Sequence, residues 1–205
     1  MSVCPVPREK SNFASWLKWI LVAIILAVIA DIFLTRRPPP AKPVSWPTVS
    51  RTNLVLRDGQ WFPLRGTNTF TGWMVDFYPD GLRRSRSAIS NGLLNGICEG
   101  WYTNGQLQIR EHFVNSVSDG LREKWFENGQ LESKAIIVNG KIEGVFRRWY
   151  ENGQLAEQIE MKNGQPDGSA LAFYPSGFAK AKTRASAGRV LDQQVWKDGE
   201  HKISN

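Results

Sequence analysis

Histidine and cysteine are almost missing from this chain, with two of each in 205 residues. His112 and His201 are too few for a histidine-rich metal site, and Cys98 with His112 supplies only part of the set of about four ligands that a structural zinc requires. Cys4 and Cys98 lie on either side of a long apolar run, which excludes the disulfide framework of small secreted domains. No serine sits in a G-x-S-x-G elbow, and no glycine-rich loop links a strand to a helix in the way that cradles phosphate. The carboxylates Glu99, Glu111, Glu123, Glu157 and Glu160 stand among arginines and lysines at strand spacing. They read as solvated cross-strand pairs worth about 0.2–1 kcal/mol each, not as an acid/base dyad. No catalytic residue, metal ligand set or cofactor is therefore expected, and the chain is not expected to be an enzyme.

A surplus of one charge sign is also less than it first looks. The net charge is +7, but residues 1–47 hold Arg8, Lys10, Lys18, Arg36, Arg37 and Lys42 against Glu9 and Asp31, which is +4 of that total. The remaining residues carry only +3 and show no arginine cluster apart from the repeat described below, so no nucleic-acid partner is expected.

Long hydrophobic runs are confined to one place. Trp16 to Leu34 reads WLKWILVAIILAVIADIFL, close to the roughly 20 residues that a bilayer-spanning helix needs. Lys18 and Asp31 sit near its ends, where a long amine can snorkel and a carboxylate can meet water, and Trp16 and Trp19 fall where an interfacial belt would lie. An uncleaved anchor is expected at 16–34 after a short head at 1–15. The rival is a cleaved signal segment, with Val28 and Ala30 as the small residues before a cut near Asp31. Bases flank the run on both sides, but a single N-terminal span with a short head most often leaves the larger domain outside the cytoplasm, so the rest of the chain is expected there. Residues 35–53 follow as a proline-rich linker; five prolines in PPPAKPVSWP favour an extended, semi-rigid stalk.

What remains is one phrase written several times. WYTNGQL at 101–107, WFENGQL at 125–131 and WYENGQL at 149–155 recur every 24 residues, with weaker copies FYPDGL at 77–82 and FYPSGF at 173–178. Turn glycines recur at Gly81, Gly105, Gly129, Gly153 and Gly177; a second column runs Gly72, Gly96, Gly120, Gly144 and Gly168; a third runs Gly92, Ser116, Gly140, Gly164 and Gly188. So strict a period marks a repeat array. Runs of about seven residues on either side of Asn-Gly predict consecutive antiparallel hairpins. The expected fold is all-β: tandem hairpins forming an elongated twisted sheet over 54–199. Its expected parts are a capping hairpin at 54–71, repeats at 72–95, 96–119, 120–143, 144–167 and 168–191, and a final strand and tail at 192–205.

A two-residue type I′ loop at Asn152-Gly153 would pair Glu151 with Gln154, Tyr150 with Leu155, Arg148 with Glu157 and Phe146 with Ile159; a bulged turn would move that register by one. One face would then hold Phe146, Tyr150, Leu155, Ile159 and Met161, and the other Arg147, Trp149, Gln158 and Glu160. Across the copies the second face stacks Phe77, Trp101, Trp125, Trp149 and Phe173 at intervals of roughly 10 Å. This column is either inter-hairpin packing or a binding ridge; the packing reading is adopted, with truncation of Trp125 expected to cost about 3–5 kcal/mol.

These phrases resemble the variant MORN repeat, of the type YYENGQLKEEGNYKDGKxxG, which occurs in tandem in many bacterial envelope and cytoplasmic proteins. The lead-in from Asp58-Gly59 to Thr71-Gly72 resembles the segment that precedes such arrays. Departures are Ser116 for a turn glycine, Arg83 and Ala179 for the leucine of the phrase, and Ser176 for the turn asparagine. The resemblance implies a repeat scaffold for contact with a protein or a membrane, with no catalytic residues to carry over. Two alternatives stay open: an antitoxin or immunity-type protein that wraps a partner, following a label some family members carry, and an envelope glycan binder or enzyme using the tryptophan column.

Overall fold

The structure, a computed structural model, describes residues 46–202. The expected head, the span at 16–34 and the first part of the linker lie outside the described residues. Among the described residues no helix is long and apolar enough to cross a membrane.

Residues 46–202 form β-strands and turns, with one short 3-10 turn at Arg51–Asn53. The first three strands are β1 (Thr48–Ser50), β2 (Leu54–Arg57) and β3 (Gln60–Pro63). The repeat strands are β4 (Gly72–Phe77), β5 (Arg83–Ser90), β6 (Leu93–Trp101), β7 (Leu107–Val114), β8 (Val117–Trp125), β9 (Leu131–Val138), β10 (Lys141–Trp149), β11 (Leu155–Lys162), β12 (Gln165–Phe173), β13 (Ala179–Ser186) and β14 (Arg189–Val195). From β4 to β14 each strand pairs antiparallel with the next, and β1 adds to β4 in parallel, giving one 12-stranded sheet. At about 4.8 Å per strand this sheet is about 50 Å across. The second sheet is the hairpin β2–β3.

Two kinds of turn alternate along the array. Six are two-residue loops, at 58–59, 91–92, 115–116, 139–140, 163–164 and 187–188, each with positive φ at both central residues, as type I′ geometry demands. The third column of the sequence therefore supplies the tight hairpins, and Ser116 adopts φ 66° in place of glycine. The Asn-Gly of the repeated phrase does something different. Residues 78–82, 102–106, 126–130, 150–154 and 174–178 form five-residue loops, closed for example by Tyr150 N–H to Gln154 O at 2.8 Å and Gly153 N–H to Tyr150 O at 2.9 Å. In these loops only the glycine is left-handed, at φ 81° for both Gly129 and Gly153.

The register expected for a two-residue loop at Asn152-Gly153 is corrected accordingly. Trp149, not Tyr150, stands opposite Leu155, and a bulge follows at Arg148/Trp149. Beyond the bulge Arg148 pairs with Glu157 and Phe146 with Ile159, as the sequence implied. Leu155 thus moves to the face of Trp149, and Tyr150 leaves the ladder for the turn. The reason is that the Asn side chain competes for the turn: Asn152 Oδ1 accepts from Gln154 N–H at 3.0 Å, an Asx arrangement that fixes the larger loop.

The second glycine column bends the sheet. At Gly120 the pairing of β7 and β8 jumps from Glu111↔Arg122 to Phe113↔Ser118, so three residues oppose His112 alone. A Cβ at Gly120 would stand 3.1 Å from the His112 Cβ, which is why the close approach needs glycine there.

The two faces differ as alternation requires. One, the core face, carries Leu54, Phe70, Met74 and Ile89 as a buried cluster under the hairpin β2–β3, with Val49, Trp61 and Leu94 against it. Farther along the sheet, Ile137 is 1% exposed and Ala135 and Ala156 are buried. The opposite face is the ridge face.

Candidate functional site

The ridge residues are the last residues of successive outgoing strands: Phe77 ends β4, Trp101 β6, Trp125 β8, Trp149 β10 and Phe173 β12. Register places Trp101 opposite Leu107, Trp125 opposite Leu131 and Trp149 opposite Leu155. The rings fall at equivalent register positions, and the three tryptophans are half-buried: they are neither sealed core nor free side chains. Phe77, at the start of the column, is 46% exposed. Guanidinium groups lie over two of the rings, Arg83 over Trp101 at 5.5 Å and Arg110 over Trp125 at 5.9 Å.

Beside the rings a row of charged side chains crosses the sheet through the register Arg86↔Glu99↔Arg110↔Glu123↔Lys134↔Arg147↔Gln158. Glu99 is buried between two arginines, 2.7 Å from Arg86 Nη2 and 3.1 Å from Arg110 Nη2. Lys134 reaches Glu123 at 3.0 Å. Four of the five expected carboxylates, Glu99, Glu111, Glu123 and Glu157, make cross-strand pairs, with Glu99 buried where a solvated pair was expected, and Glu160 instead accepts from Ser169 N–H at 2.9 Å. On the core face Arg148 bonds Glu157 and Arg122 bonds Glu111.

What fixes one repeat to the next is a set of side chains that sequence reasoning missed. Tyr78 Oη donates to Trp101 O at 2.7 Å, Tyr102 to Trp125 O at 2.9 Å, Tyr150 to Phe173 O at 2.9 Å and Tyr174 to Trp196 O at 3.0 Å. These are all four tyrosines of the chain. The asparagine of the phrase does likewise: Asn104, Asn128 and Asn152 donate through Nδ2 to Glu127 O, Glu151 O and Pro175 O. The signal was present in the phrase itself, because a tyrosine hydroxyl recurring at a fixed position needs a partner that also recurs. Phe126 interrupts the series. Phe126→Tyr should supply the missing hydroxyl to Trp149 O and raise stability by about 0.5–1.5 kcal/mol, read from the urea midpoint; an unchanged midpoint would count against the ladder.

The ladder also reveals a sixth phrase, WKDGEH at 196–201, shifted by one residue from the 24-residue period. Trp196 accepts from Tyr174 as Phe173 accepts from Tyr150, and Ser176 Oγ bonds Asp198. Trp196 stacks on His201 with centroids 4.6 Å apart. The ridge therefore continues to Trp196.

No catalytic constellation appears among the described residues. Register sets Cys98 opposite Glu111 and His112 opposite Ile97, so Cys98 and His112 point to opposite faces. His112 Nδ1 is already engaged with Asp119 O at 2.8 Å. Burial pushes the Cys98 thiol up from its ordinary value, away from a reactive thiolate. Among the described residues no group of three or more His, Cys, Asp or Glu could hold a metal.

Three segments of the chain, residues 94–115, 118–139 and 142–163, match the MORN repeat variant. They coincide with the hairpins β6–β7, β8–β9 and β10–β11, each folded about a five-residue NGQ loop. The hairpins β4–β5 and β12–β13 repeat the same pairing outside the matched segments. A search of curated proteins finds no match to this chain.

Proposed function

We propose that this chain is a non-enzymatic repeat scaffold, anchored by residues 16–34 and displaying its array on the extracytoplasmic side, and that the ridge face takes up a protein or envelope partner. The observation that carries this reading is the half-buried tryptophan column with arginines over its rings. The backbone ladder and the tyrosine and asparagine bonds hold the repeats together, which leaves the open part of each ring available to a partner. Aromatic and arginine side chains in one partly exposed row are the composition of interface hot spots. Neutralisation of a toxin is the special case in which that partner is one cognate protein.

The test uses the full-length chain in its own membranes. Carbonate washing should leave it in the pellet, and cross-linking should capture a partner that the combined Trp101→Ala and Trp149→Ala variant fails to capture. Release by carbonate would reject the anchor, and equal capture by the variant would reject the ridge face as the contact.

A further inference from the structure

The ion pairs of the ridge face lie at one end of the array; at the other, Arg184 stands opposite Asp192 in register and the two form no ion pair. Every ion pair among the described residues falls between Arg51 and Glu157. Past that point the partners in the cross-strand row turn neutral: Arg147 meets Gln158, which is followed by Leu171, Lys182 and Gln194. The sequence of β13, AKAKTRAS, alternates small and basic residues, and the alternation is reproduced in burial: Ala179 and Ala185 are buried while Lys180, Lys182 and Arg184 are exposed. On a strand this sets Lys182 and Arg184 on one face, about 6.6 Å apart, while Lys180 falls at the bulge opposite Ala172 and Phe173.

Lys182 lines both of two adjoining hollows, of ≈ 490 and ≈ 610 Å³, that also share Ser169 and Gln194. Arg184 and Asp192 border the first, and Trp196, His201 and Lys202 border the second. Ser169, Lys182, Arg184 and Gln194 lie at alternate positions in register, so the trough opens on the ridge face and runs into the sixth aromatic position.

The geometry points to this trough as a binding site for an acidic saccharide, a glycan chain bearing carboxylate or phosphate groups. Lys182, Arg184 and Lys202 supply charge for the anionic groups. Gln194 and Ser169 supply hydrogen-bonding groups for hydroxyls, and the Trp196–His201 stack closes one end with an aromatic wall. An extended acidic peptide fits less well. A peptide is held by backbone groups at a sheet edge; the free edge here is the outer side of β14, whereas the hollows open on the face of the sheet between side chains of β12, β13 and β14. A lipid surface fits less well too, because the cations stand in hollows rather than on a protruding apolar tip. The inference rests on the proposal that the ridge face is a binding surface, and it names the ligand for its C-terminal end.

The experiment measures binding of the full-length protein, in nonionic detergent, to polygalacturonate, with neutral dextran, polyglutamate and phosphatidylglycerol mixed micelles as competing probes. Polygalacturonate should bind and dextran should not, and Lys182→Gln with Arg184→Gln should weaken binding about tenfold or more. Lys124→Gln, an exposed cation of the opposite face, should leave it unchanged. Absence of binding, equal loss with Lys124→Gln, or equally tight binding of polyglutamate or of the anionic micelles would overturn the saccharide site. Loss of partner capture on truncating Trp101 and Trp149 is a separate readout, so this site can fail while the wider ridge proposal stands.

Discussion

Replacing Ile137 with alanine should destabilise the array by about 2–5 kcal/mol, the cost of deleting a sealed aliphatic side chain together with the cavity it leaves. Ile137 is 1% exposed, the most tightly enclosed large side chain of the mid-array. Its cross-strand neighbours are Ile142 on one side and Gly120 on the other, and Gly120 has no side chain that could move in to fill the void. The adjacent Ile136 is a built-in control, since it points to the opposite face and is 46% exposed. Ile136→Ala should stay within about 0.5 kcal/mol of the parent. In a linear array each hairpin is stabilised mainly by its neighbours. Ile137→Ala should therefore split the thermal transition, with the segments on either side of β9 melting separately by circular dichroism. Matching melts for the two variants would reject the assignment of faces along β9.

Much of this fold was legible because it is periodic. The 24-residue repeat alone indicates hairpins in sequence order, and alternation indicates that Arg147, Trp149 and Gln158 share a face. The turn type was not legible from Asn-Gly, because the same dipeptide closes a two-residue loop at Asn139-Gly140 and sits inside a five-residue loop at Asn152-Gly153. The difference lies in the side chain of the asparagine: Asn104, Asn128 and Asn152 each accept through Oδ1 from the N–H two residues on, and the loop at 126–130 closes in the same way although Phe126 has no hydroxyl. VWKDGE at 195–200 reads in the sequence as a last strand and turn but not as a sixth copy of the phrase: its shift of one residue breaks the period, and only the Tyr174 bond to Trp196 restores the alignment. The ridge was legible as a column, but its half-burial was not, because burial depends on where Arg83 and Arg110 place their side chains.

Truncating Trp125 separates the structural from the binding role of the ridge. A fully enclosed tryptophan would cost about 3–5 kcal/mol on replacement by alanine. Trp125 is partly exposed, opposite Leu131 and beneath Arg110, and area scaling reduces the expected loss to about 2–3 kcal/mol. The fold should survive that loss, because the backbone ladder of β8 and the Tyr102 bond to the Trp125 carbonyl involve no indole atoms and remain available. Partner binding should fall further, by about 2 kcal/mol or more, or roughly thirtyfold, as it does when an aromatic anchor is lost from an interface. Trp125→Phe keeps a ring for packing and should recover most of the stability; whatever binding it still lacks belongs to the indole. Both variants are read twice, by urea titration for the fold and by partner capture at a temperature where each remains folded. A loss of 4 kcal/mol or more in stability, about the cost of emptying a sealed site, with binding per folded molecule unchanged would show that the column is packing alone and that the partner contacts another face.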